Sequence, residues 1–272
     1  MPTLGLITNN QHEVFQRTVI AGVQAVAEAR GYGLIIDSYA EDEANPRPIS
    51  LDYQAVDGVL VLASAAPPDL LREIYTAHIP LSLVSHQTPD LPVPAVITDN
   101  QQGVGELVKH LVVNCARKNL VFIQGLPGQR DSDERQRAFT HEVMRYNLIV
   151  PSKHILRGDF SAFIAAQSVQ QLIDTGAIFD AIIASDYLMG IAAVETLREA
   201  GIAVPEDVAV VAFGDGSEAE TAGLTTVAAD VMEQGKRAAR QLISQIEGLR
   251  IRGVTILSVR LVVRETSLID PV

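Results

Sequence analysis

Six histidines, His12, His78, His86, His110, His141 and His154, are scattered along a chain of 272 residues, and no two stand at a spacing that would set both rings on one metal ion. Each reads as a surface or loop residue. No serine sits in the glycine-flanked turn that exposes a nucleophile at a strand end. Cys115 is the single cysteine, which excludes an internal disulfide and a multi-cysteine zinc site and suits a reducing compartment; the thiol reads as a small buried side chain. Gly103-Val104-Gly105 opens a helix, but Val108 stands where a dinucleotide-binding turn needs its third glycine, and the first turn, Thr8–Val14, has none. Asp131, Asp133 and Glu134 precede Arg135. They could ligate a cation, but acids at a helix start are stabilised by the helix dipole, and a solvated helix start is the reading taken. The chain is therefore read as a non-enzyme that needs no metal and no cofactor, and what remains open is what it binds.

Charge narrows the partners. Lysine and arginine total 21 against 33 acids, a formal charge of −12, so the chain as a whole repels a phosphate backbone and is not expected to bind DNA by itself. Nothing resembling an export signal precedes Leu4-Gly5-Leu6-Ile7, and no apolar run reaches the ~18 residues of a membrane span. The expectation is a cytoplasmic protein. With 47% hydrophobic residues, 5% aromatic residues and no tryptophan, the core should be aliphatic, and the length suits one large domain or two small lobes.

The elements that would position any site alternate regularly. Short runs rich in valine and isoleucine predict strands at Leu4–Thr8, Leu34–Asp37, Val59–Ala63, Leu81–Val84, Ala95–Ile97, Val121–Gln124, Ile155–Leu156, Ala181–Ala184 and Val208–Phe213. Helical patterns lie between them. Val19, Ile20, Val23, Val26 and Ala27 form one stripe ended by Gly31, Asp99-Asn100 caps Gly103–Val113, and Asp186 stands before Leu188–Ala200. This rhythm belongs to parallel sheets covered by helices on both faces, and the strands are too many for one ordinary sheet. Prolines 46, 48, 67, 68, 89, 92 and 94 mark loops. The rhythm breaks at the end, where Thr225–Ala229, a helix Glu233–Glu247, the turn Gly248–Gly253 and a strand Ile256–Val263 suggest crossings between lobes.

An ordered series of segments carries a resemblance. It runs from Leu4-Gly5-Leu6-Ile7, Phe15, Gly22 and Gly31-Tyr32 through Val56-Asp57-Gly58-Val59, Ile79-Pro80, Asp99-Asn100 with Gly103, and Ser132 with Arg135 and Phe139. It continues with Gly158-Asp159-Phe160, Ala184-Ser185-Asp186, Val204-Pro205-Glu206-Asp207-Val208, Leu224-Thr225-Thr226-Val227 and Leu261-Val262-Val263-Arg264-Glu265-Thr266. Any one of these is weak, but their order spans nearly the whole chain. The sequence resembles the ligand-binding half of the lactose-repressor (LacI/GalR) family and the related periplasmic sugar-binding proteins. The resemblance implies an α/β fold of two doubly wound lobes with parallel central sheets, one from residues 1–98 plus 230–253 and the other from 99–229 plus 254–272. Hinge positions would be Thr98, Ala229 and Gly253. Ligand would sit in a cleft outside the carboxyl ends of the strands, and the lobes would close on it.

Placed on this sequence, the family's ligand positions are partly retained. Phe15 and Phe160 fall where the family puts aromatic rings able to hold a sugar-like ring; each could equally be a core phenylalanine. Arg135 falls on the family's ligand arginine, a fork that grips paired hydroxyls or a carboxylate, with a surface ion pair to Asp131 as the bland alternative. Asp186 matches a strand-end aspartate, though a helix N-cap is its more ordinary role. Ser85-His86 stands where sugar-binding members commonly show Asp-Arg, Ser185 replaces an asparagine, Gly214 replaces an aspartate, and Ala229 stands where a glutamine is common. Losing two carboxylates removes the bidentate acceptors for neighbouring sugar hydroxyls, which puts a standard sugar in doubt and admits an anionic or less hydroxylated ligand, or none.

The function implied is a small-molecule-sensing effector domain of a bacterial transcriptional regulator, a homodimer, reaching DNA only through a helix-turn-helix that nothing in this sequence matches. The alternatives are a sensory input domain of another signalling protein and a solute-binding protein of a transporter.

Overall fold

The computed structural model describes residues 1–9, 13–38, 49–88 and 90–268; His12, Pro46, Pro48 and Pro89 lie outside them. In chain order the elements begin with β1 (Thr3–Thr8), α1 (Val14–Ala29), β2 (Gly33–Ser38), β3 (Gly58–Leu62), α2 (Pro68–Thr76), β4 (Leu81–Val84) and β5 (Ala95–Thr98). There follow α3 (Asn100–Lys109), β6 (Leu120–Gln124), α4 (Arg130–Arg145), β7 (Ile155–Arg157), α5 (Ala162–Asp174) and β8 (Ala181–Ala184). The chain then runs through α6 (Tyr187–Glu199), β9 (Ala209–Phe213), α7 (Ser217–Thr221), β10 (Thr225–Ala229), α8 (Val231–Ile246), β11 (Val254–Leu257) and β12 (Val259–Val262). Contacts divide it into two compact units, 1–98 with 230–257 and 99–229 with 258–272.

Each unit is built on one six-stranded sheet, in the orders β11-β5-β4-β3-β1-β2 and β12-β10-β9-β8-β6-β7. Period-two alternation along the strands feeds a core on each face. In the first unit Leu60 and Leu62 pack with α1 and α8, while Val59 and Val61 pack with α2. In the second, Ile182 and Ala184 face α5 and α6, while Ala181 and Ile183 face α3 and α4. Where α1 crosses α8 the backbones nearly touch: a Cβ on Gly235 would lie 2.1 Å from the Val19 carbonyl oxygen, so only glycine fits. Gly31, at φ 74°, follows α1 as the expected glycine past a helix end.

The end of the chain differs from the sequence reading. A single strand Ile256–Val263 is expected, but β11 and β12 are separate strands in different sheets. β11 pairs parallel with β5 in the first sheet and β12 antiparallel with β10 in the second. The third crossing therefore falls after Leu257 rather than at Gly253, and the first unit extends to 257. Period-two patterning cannot reveal this, because a strand that changes sheets keeps its alternation. The predicted helix Gly103–Val113 also starts earlier, at Asn100, with Asp99 capping the Gln102 amide at 2.8 Å, and finishes as a π-helical turn over His110–Asn114.

Candidate functional site

In the second unit β6 lies beside both β7 and β8, so the chain leaves its carboxyl end in one direction and later returns on the other side. Such a reversal opens a crevice at the strand ends, the usual ligand position of doubly wound sheets. Beyond the ends of β6, β7 and β8 the chain runs into Gly125, Phe160 and Ser185-Asp186, with Phe160 over Gly125 and Arg135 bonded to the Ser185 carbonyl.

Arg135 projects from α4 and its side chain is 12% exposed. Its Nε donates to Asn100 Oδ1 at 2.8 Å, its Nη1 donates to the Ser185 carbonyl oxygen at 2.7 Å, and its guanidinium carbon lies 3.8 Å from the centroid of the Phe213 ring. Nη2 makes only a long approach to Asp131, at 4.0 Å. The surface ion pair considered for this arginine is thus not what holds it. Burial pulls the guanidinium below its ordinary basicity, and Asp131, Asp186 and Glu134 oppose that pull.

Asn100, read from sequence as part of a cap, is instead a hub. While Asp99 caps the helix, the buried Asn100 amide donates to Asp131 Oδ1 and Glu134 Oε2, both at 2.9 Å, and Arg130 bonds the same two acids at 3.0 and 2.7 Å. Asp131 is buried, so the acidic cluster is not the solvated helix start expected for it; its charge is paired within the unit. Among the described residues no group of three or more histidine, cysteine or acidic side chains could hold a metal ion.

Phe160 is partly buried against the second unit's core, and it and Asp159 both have left-handed backbones, at φ 57° and 52°. Its ring occupies the space a side chain at Gly125 would need: a Cβ there would fall 2.2 Å from Phe160 Cζ. Gly103 makes the same room under Phe213, at 2.4 Å. Ser185 is buried and uses its carbonyl for Arg135, and its hydroxyl has no partner among the described residues. Asp186 caps α6, its Oδ1 accepting from the Leu188 and Met189 amides at 2.8 and 3.3 Å. Gly214 has φ 82°, a left-handed backbone that glycine adopts without strain. The next residue, Asp215, is gripped by Arg264 through two bonds of 2.9 and 3.0 Å. Burial alone would raise its carboxyl, but the Arg264 bonds hold it below the usual aspartate range.

The first unit holds its residues differently. Phe15 is partly buried in the first turn of α1, against the core. Ser85, at φ 52°, is buried at the end of β4, and its hydroxyl accepts from Gln234 Nε2 at 2.9 Å, which also donates to the Val96 carbonyl at 3.1 Å. His86 follows, partly buried. Thr98 and Ala229 are the last residues of β5 and β10, and Gly253, at φ 85°, precedes β11.

Sequence reasoning missed Asn100 as a hub, and also Gly125, Phe213 and Gln234. A glycine directly after a strand and a glutamine inside an apolar helix stripe are weak signals for such roles.

Residues 108–267 match the family model of the periplasmic binding protein-like domain. The chain is 24% identical over 267 residues to the HTH-type transcriptional repressor CytR of Escherichia coli K12, covering 96% of this chain and 78% of that protein. It is 28% identical to the HTH-type transcriptional regulator CelR of Thermobifida fusca, covering 95% and 78%. Its fold matches a putative LacI transcriptional regulator from Bacillus cereus subsp. cytotoxis with a TM-score of 0.88 at 24% identity, each chain 98% covered. It also matches the lac repressor dimer bound to operator and anti-inducer, with a TM-score of 0.87 at 19% identity, covering 98% of this chain and 94% of that one.

Proposed function

Since the chain belongs to the periplasmic binding protein-like domain family, as the ligand-binding domain of a LacI-type transcriptional regulator and not an enzyme, we propose that it senses a small, ring-shaped polar ligand at the strand ends and signals by closure of its two units. The observation that carries this reading is the pairing of a partly exposed aromatic ring with an ordered arginine fork at one strand reversal. Phe160 is seated over Gly125, and Arg135 is held by Asn100 and the Ser185 carbonyl so that Nη2 keeps donor capacity. Arg130 and Arg135 are matched by Asp131, Glu134 and Asp186, so the neighbourhood has no net positive charge. That balance favours a neutral, sugar-like ligand over an anion.

The protein acts in the cytoplasm as a homodimer, and DNA is reached through a helix-turn-helix outside this sequence. The solved CelR relative is a complex with cellobiose, which makes cellobiose a reasonable first probe. Thermal-shift measurements with cellobiose, D-glucose, D-glucuronate and cytidine test the reading. A neutral ring compound should raise the melting temperature more than its acid counterpart, and Phe160→Leu should shrink that shift. A panel that shifts nothing, or shifts indifferent to Phe160→Leu, would refute the site.

A further inference from the structure

The segment Arg264–Ser267, which follows β12, is fastened to the second unit by an oriented chain of hydrogen bonds. The Thr266 amide donates to the Gly223 carbonyl at 3.0 Å, and the Thr266 hydroxyl donates to the Val210 carbonyl at 2.7 Å. The Arg264 amide donates to Thr225 Oγ1 at 2.8 Å, and that hydroxyl gives its hydrogen back to the Arg264 carbonyl at 3.0 Å. With its hydrogen used, Thr225 Oγ1 accepts from Ser267 Oγ at 2.7 Å. Ser267 Oγ, its own hydrogen used, must then accept at 2.8 Å from His110 Nε2, in the π-helical turn that ends α3. That direction, together with an Nδ1 that has nothing to donate to among the described residues, assigns the His110 proton to Nε2. Its Nδ1 is buried and has no partner among the described residues. His110 is 5% exposed and His154 is buried too, so neither is the surface or loop residue expected from the sequence.

A second proton would have to sit on Nδ1, in a dry place without an acceptor. The titratable and charged groups nearby do not compensate. Cys115 Sγ lies 3.5 Å from Nε2 and donates to the Ser267 carbonyl at 3.3 Å. On the fastened segment, Arg264 is committed to Asp215, and Glu265 is exposed beside Gly223. Glu106 and Lys109 precede His110 on its own helix, the packed α4 brings Glu142, paired with Arg145, β12 brings Arg260, and β9 and β10 contribute no charged residue; burial alone shifts the ring. We propose that His110 is an acid-sensitive latch, which holds the Arg264–Ser267 turn on the second unit only while its ring is neutral.

Burial displaces His110 below the ordinary histidine value of 6.5. A depressed histidine binds its proton more readily once the turn opens, so the latch is at full strength above that value and weakens as pH falls below it. Opening would free the chain after Val263 while the sheets stay formed.

Hydrogen exchange on the full chain at pH values of about 5.5 and about 7.5, corrected for intrinsic rates, tests this; acid should favour opening at the Thr266 and Arg264 amides, by up to about tenfold, with β9 amides unchanged. His110→Gln, whose amide can reach Ser267 without titrating, should keep protection at both pH values, and Ser267→Ala should lose it at both. Equal protection of Thr266 in wild type at the two pH values, or an acid response that survives in His110→Gln, overturns the proposal. Should His110→Gln fail to fold, nitrogen-15 shifts of the wild-type ring decide: an Nε2–H tautomer supports the latch and Nδ1–H refutes it.

Discussion

The two units share one strand order, yet the ends of their strands are held by different chemistry. In the first unit a neutral amide, Gln234, reaches Ser85 and the Val96 carbonyl. In the second a charged network of Arg130, Asp131, Glu134 and Arg135 closes around Asn100, with Phe213 beneath the guanidinium. A common topology sets where side chains converge, and the residue types placed there set how much depends on each of them. A neutral amide loses little when removed, whereas a buried charge whose partner is removed is left uncompensated.

Substituting the two anchors should expose that contrast. Arg135→Met leaves the Asn100 Oδ1 and the Ser185 carbonyl without their charged donor and should cost about 2–4 kcal/mol. Gln234→Met removes two neutral bonds, but also a carbonyl oxygen that is buried with no partner among the described residues, and should stay within about 1 kcal/mol. Calorimetric unfolding of both variants measures the difference; equal losses would show that the second unit's charged network is no more demanding than the first unit's amide.

Gly125→Val probes the ring seat. Its side chain would displace Phe160, an overpacking expected to cost about 1–3 kcal/mol and to remove any ligand shift that depends on that ring. Denaturant titration and the thermal-shift panel read these two consequences separately. A variant of unchanged stability and binding would mean that Phe160 is not seated there in solution.

The smallest effect is expected at Asp186. Loss of its cap to the Leu188 and Met189 amides in Asp186→Ala should cost about 1 kcal/mol, with ligand shifts preserved. Were stability unchanged and ligand response abolished, the aspartate would belong to the ligand rather than to the helix.

The alternation of short aliphatic runs with helical stripes sufficed, from sequence alone, to name the α/β class, because period two and period 3.6 are imposed by backbone geometry and survive without any neighbour. All nine strands read this way coincide with observed ones, β1–β9, to within a residue or two at the ends. The order of motifs identified the family for the same local reason. What tertiary structure decided was every matter of pairing. Ile256–Val263 divides between two sheets because of which partner edge each half meets. Asn100 becomes a hub because α4 brings Asp131 and Glu134 to it. Gly214 turns left-handed, at φ 82°. The bonds that join Asn100 to α4 and Arg135 to Ser185 are set by distances across elements far apart in the chain, and no spacing along the sequence records those distances.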